Sequence, residues 1–379
     1  MFSTLKQYLE MISEEENIPA CDIVVYKGHD VVFRHMVGYR DAEKTEPVSE
    51  QDKYILYSAT KPMTMVAVMQ LVEKGMLRLE DEIYRYLPEF EHMSVKDRVN
   101  GKVNPAKNKI TIEHLMTMTA GFNYSLKGTG IHEVIAENPN ATLAEVMRGL
   151  AKQPLDFEPG TRFQYSLCHD VLGRIIEVVS GMTYGEYMKK NIFKPLEMHD
   201  TGYSIEEALP NLTEQYVPDG YPHKRKVVEP TNPYRLTPRY ESAGAGAIST
   251  VNDYGKFVEA MCNYGVSASG VRIISEKSID MMRTRLVSED CHNDFRNSTT
   301  MRGYTYGLGV RVMINKLISG SKSPVGEFGW DGAAGAYVLI DVENKIGIFY
   351  AQEIRGKNMG GEVHPRIRNL VYEALEGRL

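Results

Sequence analysis

No apolar run in this chain approaches the ~18 residues a membrane span needs, and its N-terminus lacks a basic region leading into an apolar core. Both absences point to a cytoplasmic protein with no membrane partner. Cysteine is sparse: Cys21, Cys168, Cys262 and Cys291 are scattered with no C-x-x-C pair, so reduced thiols are expected rather than a disulfide framework or a zinc site. Of these, Cys168 reads as a small buried side chain three residues past Tyr165. Basic clusters are absent beyond Lys224-Arg225-Lys226, and the formal net charge is −6, which excludes nucleic acid as a partner. No His/Asp/Glu group has ligand spacing such as H-E-x-x-H, so neither metal nor cofactor is expected. There is no internal repeat and no low-complexity tract, and nothing in the sequence fixes an oligomeric state.

What remains is globular in composition, with 42% hydrophobic and 25% charged residues over 379 positions. That length exceeds one ordinary core, so two lobes are the default. The most informative stretch is Tyr57-Ser58-Ala59-Thr60-Lys61-Pro62, followed by an apolar run over 63–72. Met63, Val66, Ala67 and Leu71 share one face at helical spacing, while Val68, Met69 and Val72 make the run apolar nearly all round. A buried helix is predicted, stopped at Gly75. Pro62 is tolerated only in a first helical turn, so the helix must begin just before it, with Ser58 at its N-terminus.

A residue three positions on projects from the same side, one turn away, which brings Lys61 beside the Ser58 hydroxyl. Burial would lower the lysine pKa and free its amine to act as a base, so the two form a candidate nucleophile and base. The Ser-x-x-Lys spacing itself is common; it recurs at Ser3 and Ser319. Ser3 heads an amphipathic first helix, and Ser319 lies in a polar turn, so only Ser58 opens a buried helix.

In chain order, a helix over 3–17 precedes two β-branched runs, 21–26 and 31–37, that flank Lys27-Gly28-His29-Asp30 as a hairpin. Helices are expected over 79–86, 112–118, 143–150, 170–180 and 184–191. A connector punctuated by Pro218, Pro222, Pro230, Pro233 and Pro238 leads to Ser242-Ala243-Gly244-Ala245-Gly246-Ala247, whose small side chains permit close backbone approach. Helices over 250–264 and 276–284 follow, then a polar 286–302 segment expected as a mobile loop. The end reverts to strands over 309–314, 336–340 and 346–350, closed by a helix over 366–375. Strands at both ends with helices between suggest an α+β chain with one antiparallel sheet. Residues 1–57 and 235–379 would form the sheet lobe and 58–234 a mostly helical lobe, with the site in the cleft between them.

Ordered stretches along most of the chain resemble the serine β-lactamase-like, penicillin-binding hydrolases, and within them the class C β-lactamase and family VIII carboxylesterase branch. They are Tyr57-Ser58-Ala59-Thr60-Lys61, the 112–121 segment, Glu158-Pro159-Gly160, Tyr165-Ser166-Leu167, Asp170-Val171-Leu172-Gly173 and Gly329-Trp330-Asp331-Gly332. The resemblance implies the β-lactamase/transpeptidase-like fold, Ser58 as acyl-accepting nucleophile, Lys61 as its partner and Tyr165 in the proton relay. Whether Lys61 or Tyr165 takes the serine proton is left open by the motifs. The resemblance also implies an oxyanion hole from the backbone N–H groups of Ser58 and Ala333. His114 and His169 read as structural. Two departures bear on specificity: Leu167 stands where these enzymes usually have asparagine, and Trp330 replaces a cationic residue that binds a substrate carboxylate. Leu167, Trp330, Asp331 and Gly332 are therefore the expected substrate contacts.

The resulting expectation is a serine hydrolase that forms an acyl-enzyme from esters of small or medium acyl groups. Its rivals are an amide hydrolase of the same fold (a D-amino-acid peptidase, a weak β-lactamase or a small-amide hydrolase) and a binding or scaffold protein that has lost its chemistry.

Overall fold

The computed structural model describes residues 1–15, 17–97, 99–220, 224–356 and 359–376. Pro222 of the proline-rich connector lies outside them. At the centre is a seven-stranded antiparallel sheet in the spatial order Asp30–Gly38, Ala20–Lys27, Ile346–Ala351, Tyr337–Asp341, Phe328–Gly329, Arg311–Met313, Tyr304–Tyr306. The expected sheet made from both ends of the chain is thus present. The pairing of its first and last strands in sequence joins Asp22 to Ala351 and Lys27 to Ile346 across more than 300 residues. Gly28, at φ +61°, and Lys345, at φ +52°, each supply one left-handed residue to the two flanking hairpin turns.

Both faces of the sheet are covered, which explains why its strands read as continuous apolar runs rather than alternating ones. Ile23, Val25, Leu339, Ile348 and Tyr350 pack with Leu5, Leu9 and Ile12 of the helix Ser3–Glu14 and with Ile367, Leu370 and Val371 of the helix Val363–Leu375. Their sequence neighbours Val24, Tyr26, Val338, Ile340 and Phe349 face the other way, toward Phe257 and Val258 of the helix Val251–Cys262. From that second face one apolar cluster continues without a break into the helical region, through Met63, Val66 and Leu71 to Leu172 and Ile176.

The helix Lys61–Glu73 runs through this cluster, and Lys61 through Leu71 are all buried. Full burial of each large apolar side chain there contributes roughly 1.5–3 kcal/mol. Gln70, one of the polar residues among them, is satisfied by donating to the carbonyls of Asn191 and Ile273 and accepting from the Tyr187 hydroxyl. Pro62 sits in the first turn, and Gly75, at φ +68°, ends the helix.

Two sequence expectations fail for local reasons. Residues 79–86 form only the short 3₁₀ turn Ile83–Arg85, because their backbone is drawn toward the next segment. Ile83 donates to Ile110, while Asp81 and Leu79 accept from Ile112 and Glu113. The 286–302 segment, expected as a mobile loop, holds the helix Glu289–Ser298. Ser288 caps it, Glu289 and Asp290 occupy its first turn, and the i, i+4 pair Cys291 and Phe295 is buried, Phe295 against Phe163 and Tyr306. Among the described residues, no helix is long and apolar enough to cross a membrane, and no cluster of His, Cys, Asp and Glu could hold a metal ion.

Candidate active site

The strand Lys53–Ile55 is redirected into the helix Lys61–Glu73 by a single 3₁₀ turn, Tyr57–Thr60. Tyr57 holds φ +47°, a left-handed conformation that costs a non-glycine residue about 1 kcal/mol. Full burial and a 2.5 Å hydrogen bond from its hydroxyl to Gln215 keep it there. The turn leaves Ser58 partly exposed at the head of the helix.

Three side chains meet at Ser58. The Lys61 Nζ lies 3.1 Å from Ser58 Oγ, and the Tyr165 hydroxyl donates to the same oxygen at 2.7 Å. The Trp330 Nε1–H donates in turn to the Tyr165 oxygen at 3.1 Å, and the Lys61 amine donates to the Gly244 carbonyl at 2.7 Å. The ends of this chain have fixed polarity, because an indole N–H can only donate and a carbonyl can only accept. With a neutral lysine the protons therefore order in one direction. Trp330 donates to Tyr165, Tyr165 to Ser58, Ser58 to the Lys61 lone pair, and Lys61 to Gly244.

The electrostatics bring the neutral lysine into play at and above neutral pH. Lys61 is fully buried, and burial lowers its pKa from 10.5 to about 7 against the opposing influence of Asp170 and Cys168. Tyr165 moves the other way: burial raises its pKa, and its hydrogen bonds with Ser58 and Trp330 only partly offset this. At neutral pH the phenol stays protonated, so the amine is the proton acceptor available in the pair.

Aromatic rings fix the relay in place. Tyr165 is stacked between Tyr124 and Trp330, with centroids 5.4 and 5.5 Å away, and Tyr234 meets Tyr124 edge-on at 5.3 Å. The Lys61 Nζ sits 4.6 Å from the Tyr165 ring centroid and 3.5 Å from the Tyr124 hydroxyl. The small-residue stretch 242–247 makes the approach expected of it. A Cβ added at Gly244 would lie 2.8 Å from Asp170 Oδ2 and 3.5 Å from Lys61 Nζ.

The remaining candidates divide. Ala333 is exposed, and Gly332 packs so closely on the Leu56 carbonyl that a Cβ would come within 2.3 Å of it. Trp330 is 5% exposed and contributes its N–H rather than an open face. Leu167 and Asp331, expected to meet substrate, are directed inward instead. Leu167 precedes the helix Cys168–Ser180 as part of the apolar core. Asp331 accepts from Arg311 at 2.6 Å and faces His364 Nδ1 at 3.2 Å; burial opposes its ionisation, but Arg311 and His364 outweigh it and hold its pKa below the ordinary value. His114 caps its own helix through Thr111, and His169 is fully buried. Cys168 is buried with its Sγ 3.1 Å from Ser166 Oγ, and its thiol is pushed up to about 12, mainly by burial.

Sequence reasoning assigned no part to Tyr124, Tyr234, Asp170 or the Gly244 carbonyl. Tyr124 is one of 23 tyrosines, and no motif singles it out. Asp170 was legible as part of a motif, though not as the carboxylate beside Lys61.

Two cavities adjoin this centre. One, of about 790 Å³, is lined by Val217, Pro218, Pro233, Tyr234, Ala333 and Arg355 among others. A second, of about 440 Å³, lies on the Tyr165 side against Arg162 and Asp294.

Protein Rv1367c of Mycobacterium tuberculosis is 31% identical over 338 residues, covering 86% of this chain and 84% of that protein. Esterase EstB of Burkholderia gladioli is 27% identical, covering 96% of this chain and 93% of its own. Among solved structures, EstCE1, described as a hydrolase with promiscuous acyltransferase activity, superposes with a TM-score of 0.82 over 98% of both chains at 23% identity, a likeness of fold. The family model described as Beta-lactamase matches residues 5–373, and the chain belongs to this family of serine hydrolases.

Proposed function

We propose that the protein hydrolyses esters of small or medium acyl groups through an acyl-enzyme on Ser58. The observation that carries this reading is the convergence of Lys61 Nζ and the Tyr165 hydroxyl on Ser58 Oγ, at 3.1 and 2.7 Å. Ser58 attacks the ester carbonyl while its proton passes to the neutral Lys61 amine. The backbone N–H groups of Ser58 and Ala333 receive the developing oxyanion. Lys61 returns the proton to the departing alkoxide; neutral again, it takes one from the water that attacks the acyl-enzyme and hands it to Ser58 Oγ as the acid leaves. Tyr165, its phenol kept protonated by burial, orients Ser58 Oγ throughout and is itself held by Trp330. Ester rather than amide turnover is favoured by the neutral indole at position 330 and by the likeness to an enzyme named as an esterase.

The test is a parallel rate comparison on p-nitrophenyl acetate, butyrate and octanoate, a chromogenic cephalosporin and a D-alanyl p-nitroanilide, with Ser58→Ala as control. Ser58-dependent turnover of the esters well above the other two is expected. Faster turnover of either amide would move the function to amide hydrolysis, and ester turnover that survives Ser58→Ala would overturn the nucleophile.

A further inference from the structure

The cavity shared by Ala333 and Tyr234 has neutral walls apart from one residue. Val217, Pro218, Pro233 and Tyr234 offer apolar or aromatic surface, and Arg355 is the charged group among the described residues lining it. Its position is tied to the catalytic strand through the backbone. Ile354 donates to the Ala334 carbonyl at 3.0 Å, and Arg355 itself donates to the Tyr216 carbonyl at 2.8 Å. Arg355 therefore stands next to the segment that carries Ala333.

No carboxylate neutralises this guanidinium by an ion pair among the described residues. The nearest acid in sequence, Glu353, is 3% exposed and gives one oxygen to the Ile55 backbone N–H. Burial holds its carboxyl well above the ordinary value, despite that bond and the neighbouring Arg355, and so toward the neutral form. The Arg355 guanidinium interacts with the Tyr57 hydroxyl, while its Nε–H is buried without a hydrogen-bond partner among the described residues. An arginine remains charged at any working pH, and its Nε and Nη hydrogens form a fork that matches a carboxylate. A permanent cation with an unused donor, in an otherwise neutral cavity bounded by the cleft's own Ala333, is the arrangement expected of an anion subsite.

We propose that Arg355 binds a carboxylate carried by the substrate, so that the preferred substrates are esters with a free carboxylate at a distance from the scissile bond. This rests on the esterase reading and narrows its substrate class. The carboxylate can belong to the acyl half, as in a dicarboxylic hemiester, or to the alcohol half.

Two pairs of compounds separate these sources: mono-p-nitrophenyl glutarate against p-nitrophenyl butyrate, and 4-butyryloxybenzoate against its methyl ester. The ratio of kcat/KM, anionic to neutral, is measured for the native protein, Arg355→Met and Arg355→Lys. A ratio above one is expected for at least one pair in the native protein, falling tenfold or more in Arg355→Met, with partial recovery in Arg355→Lys. Equal ratios in the native and Arg355→Met proteins for both pairs would overturn the proposal. Calorimetric binding of the same compounds to Ser58→Ala, with and without Arg355→Met, keeps the two ideas apart. An Arg355-dependent preference for the anion in binding, without turnover in the native protein, would uphold the subsite and sink the esterase reading. Ester turnover with no such preference would do the reverse.

Discussion

Replacing Lys61 by methionine should leave the protein inactive yet more stable. The unfolded lysine keeps its proton up to its ordinary value of 10.5, whereas the folded one gives it up near 7, because the side chain is wholly buried. Between these two values the unfolded state binds more protons, so stability rises with pH, and the native lysine is a liability that is largest at and below neutrality. At 1.36 kcal/mol per pKa unit, its presence costs about 4 kcal/mol at pH 7 and about 2 kcal/mol at pH 9. Methionine removes this term with a side chain of similar length. It also strands the Gly244 carbonyl, which now accepts from Nζ at 2.7 Å, at a cost of roughly 1–3 kcal/mol. The net expectation at pH 7 is a gain of about 1–3 kcal/mol, read as an upward shift of the urea midpoint relative to native protein. The advantage should shrink by about 2 kcal/mol when the same titrations are run at pH 9. A Lys61→Met protein less stable than native at pH 7, by a margin independent of pH, would refute the account of Lys61 as a buried amine.

The same titration governs catalysis. With Lys61 as base, kcat/KM for a neutral ester should fall about tenfold per pH unit below the Lys61 value of about 7 and level off above it; a flat profile through that region would put the base elsewhere. Trp330→Phe preserves the stack on Tyr165 but removes the N–H that orients its hydroxyl, so transition-state stabilisation should drop by roughly 1–3 kcal/mol, seen in kcat more than in KM. A change confined to KM would reassign Trp330 to substrate binding alone. Arg311→Met leaves the buried Asp331 with only His364 beside it and should destabilise the protein by about 3–5 kcal/mol; adding Asp331→Asn should restore most of it. A double variant no more stable than the single one would show that the pair is not coupled.

The parts of the molecule legible in its sequence are those set by local rules. Pro62 and Gly75 bracket a run too apolar to lie at a surface, and the helix Lys61–Glu73 follows, with Ser58 at its head and Lys61 on the same side. The hairpin turned at Gly28 is equally local. The helix Glu289–Ser298 was masked by polarity, although Ser288 and the Cys291–Phe295 spacing carry its cap and buried face. Illegible were contacts between distant segments. Asp331 looked like a substrate contact because nothing nearby in sequence announces Arg311 or His364 as its partners. Tyr124 and Gly244 reach Lys61 only once the helical region folds over it, across 63 and 183 residues. Arg355 joins the cavity wall that includes Ala333 through strand neighbours rather than through any motif.

The central claim is that Ser58 carries the acyl group. Its most direct test is the intact mass of protein quenched during turnover of p-nitrophenyl butyrate, followed by peptide mapping. The account predicts a mass increase of one butyryl group on the peptide containing Ser58, absent in Ser58→Ala. Brisk Ser58-independent hydrolysis with no adduct, or an adduct mapped to another residue, would contradict it.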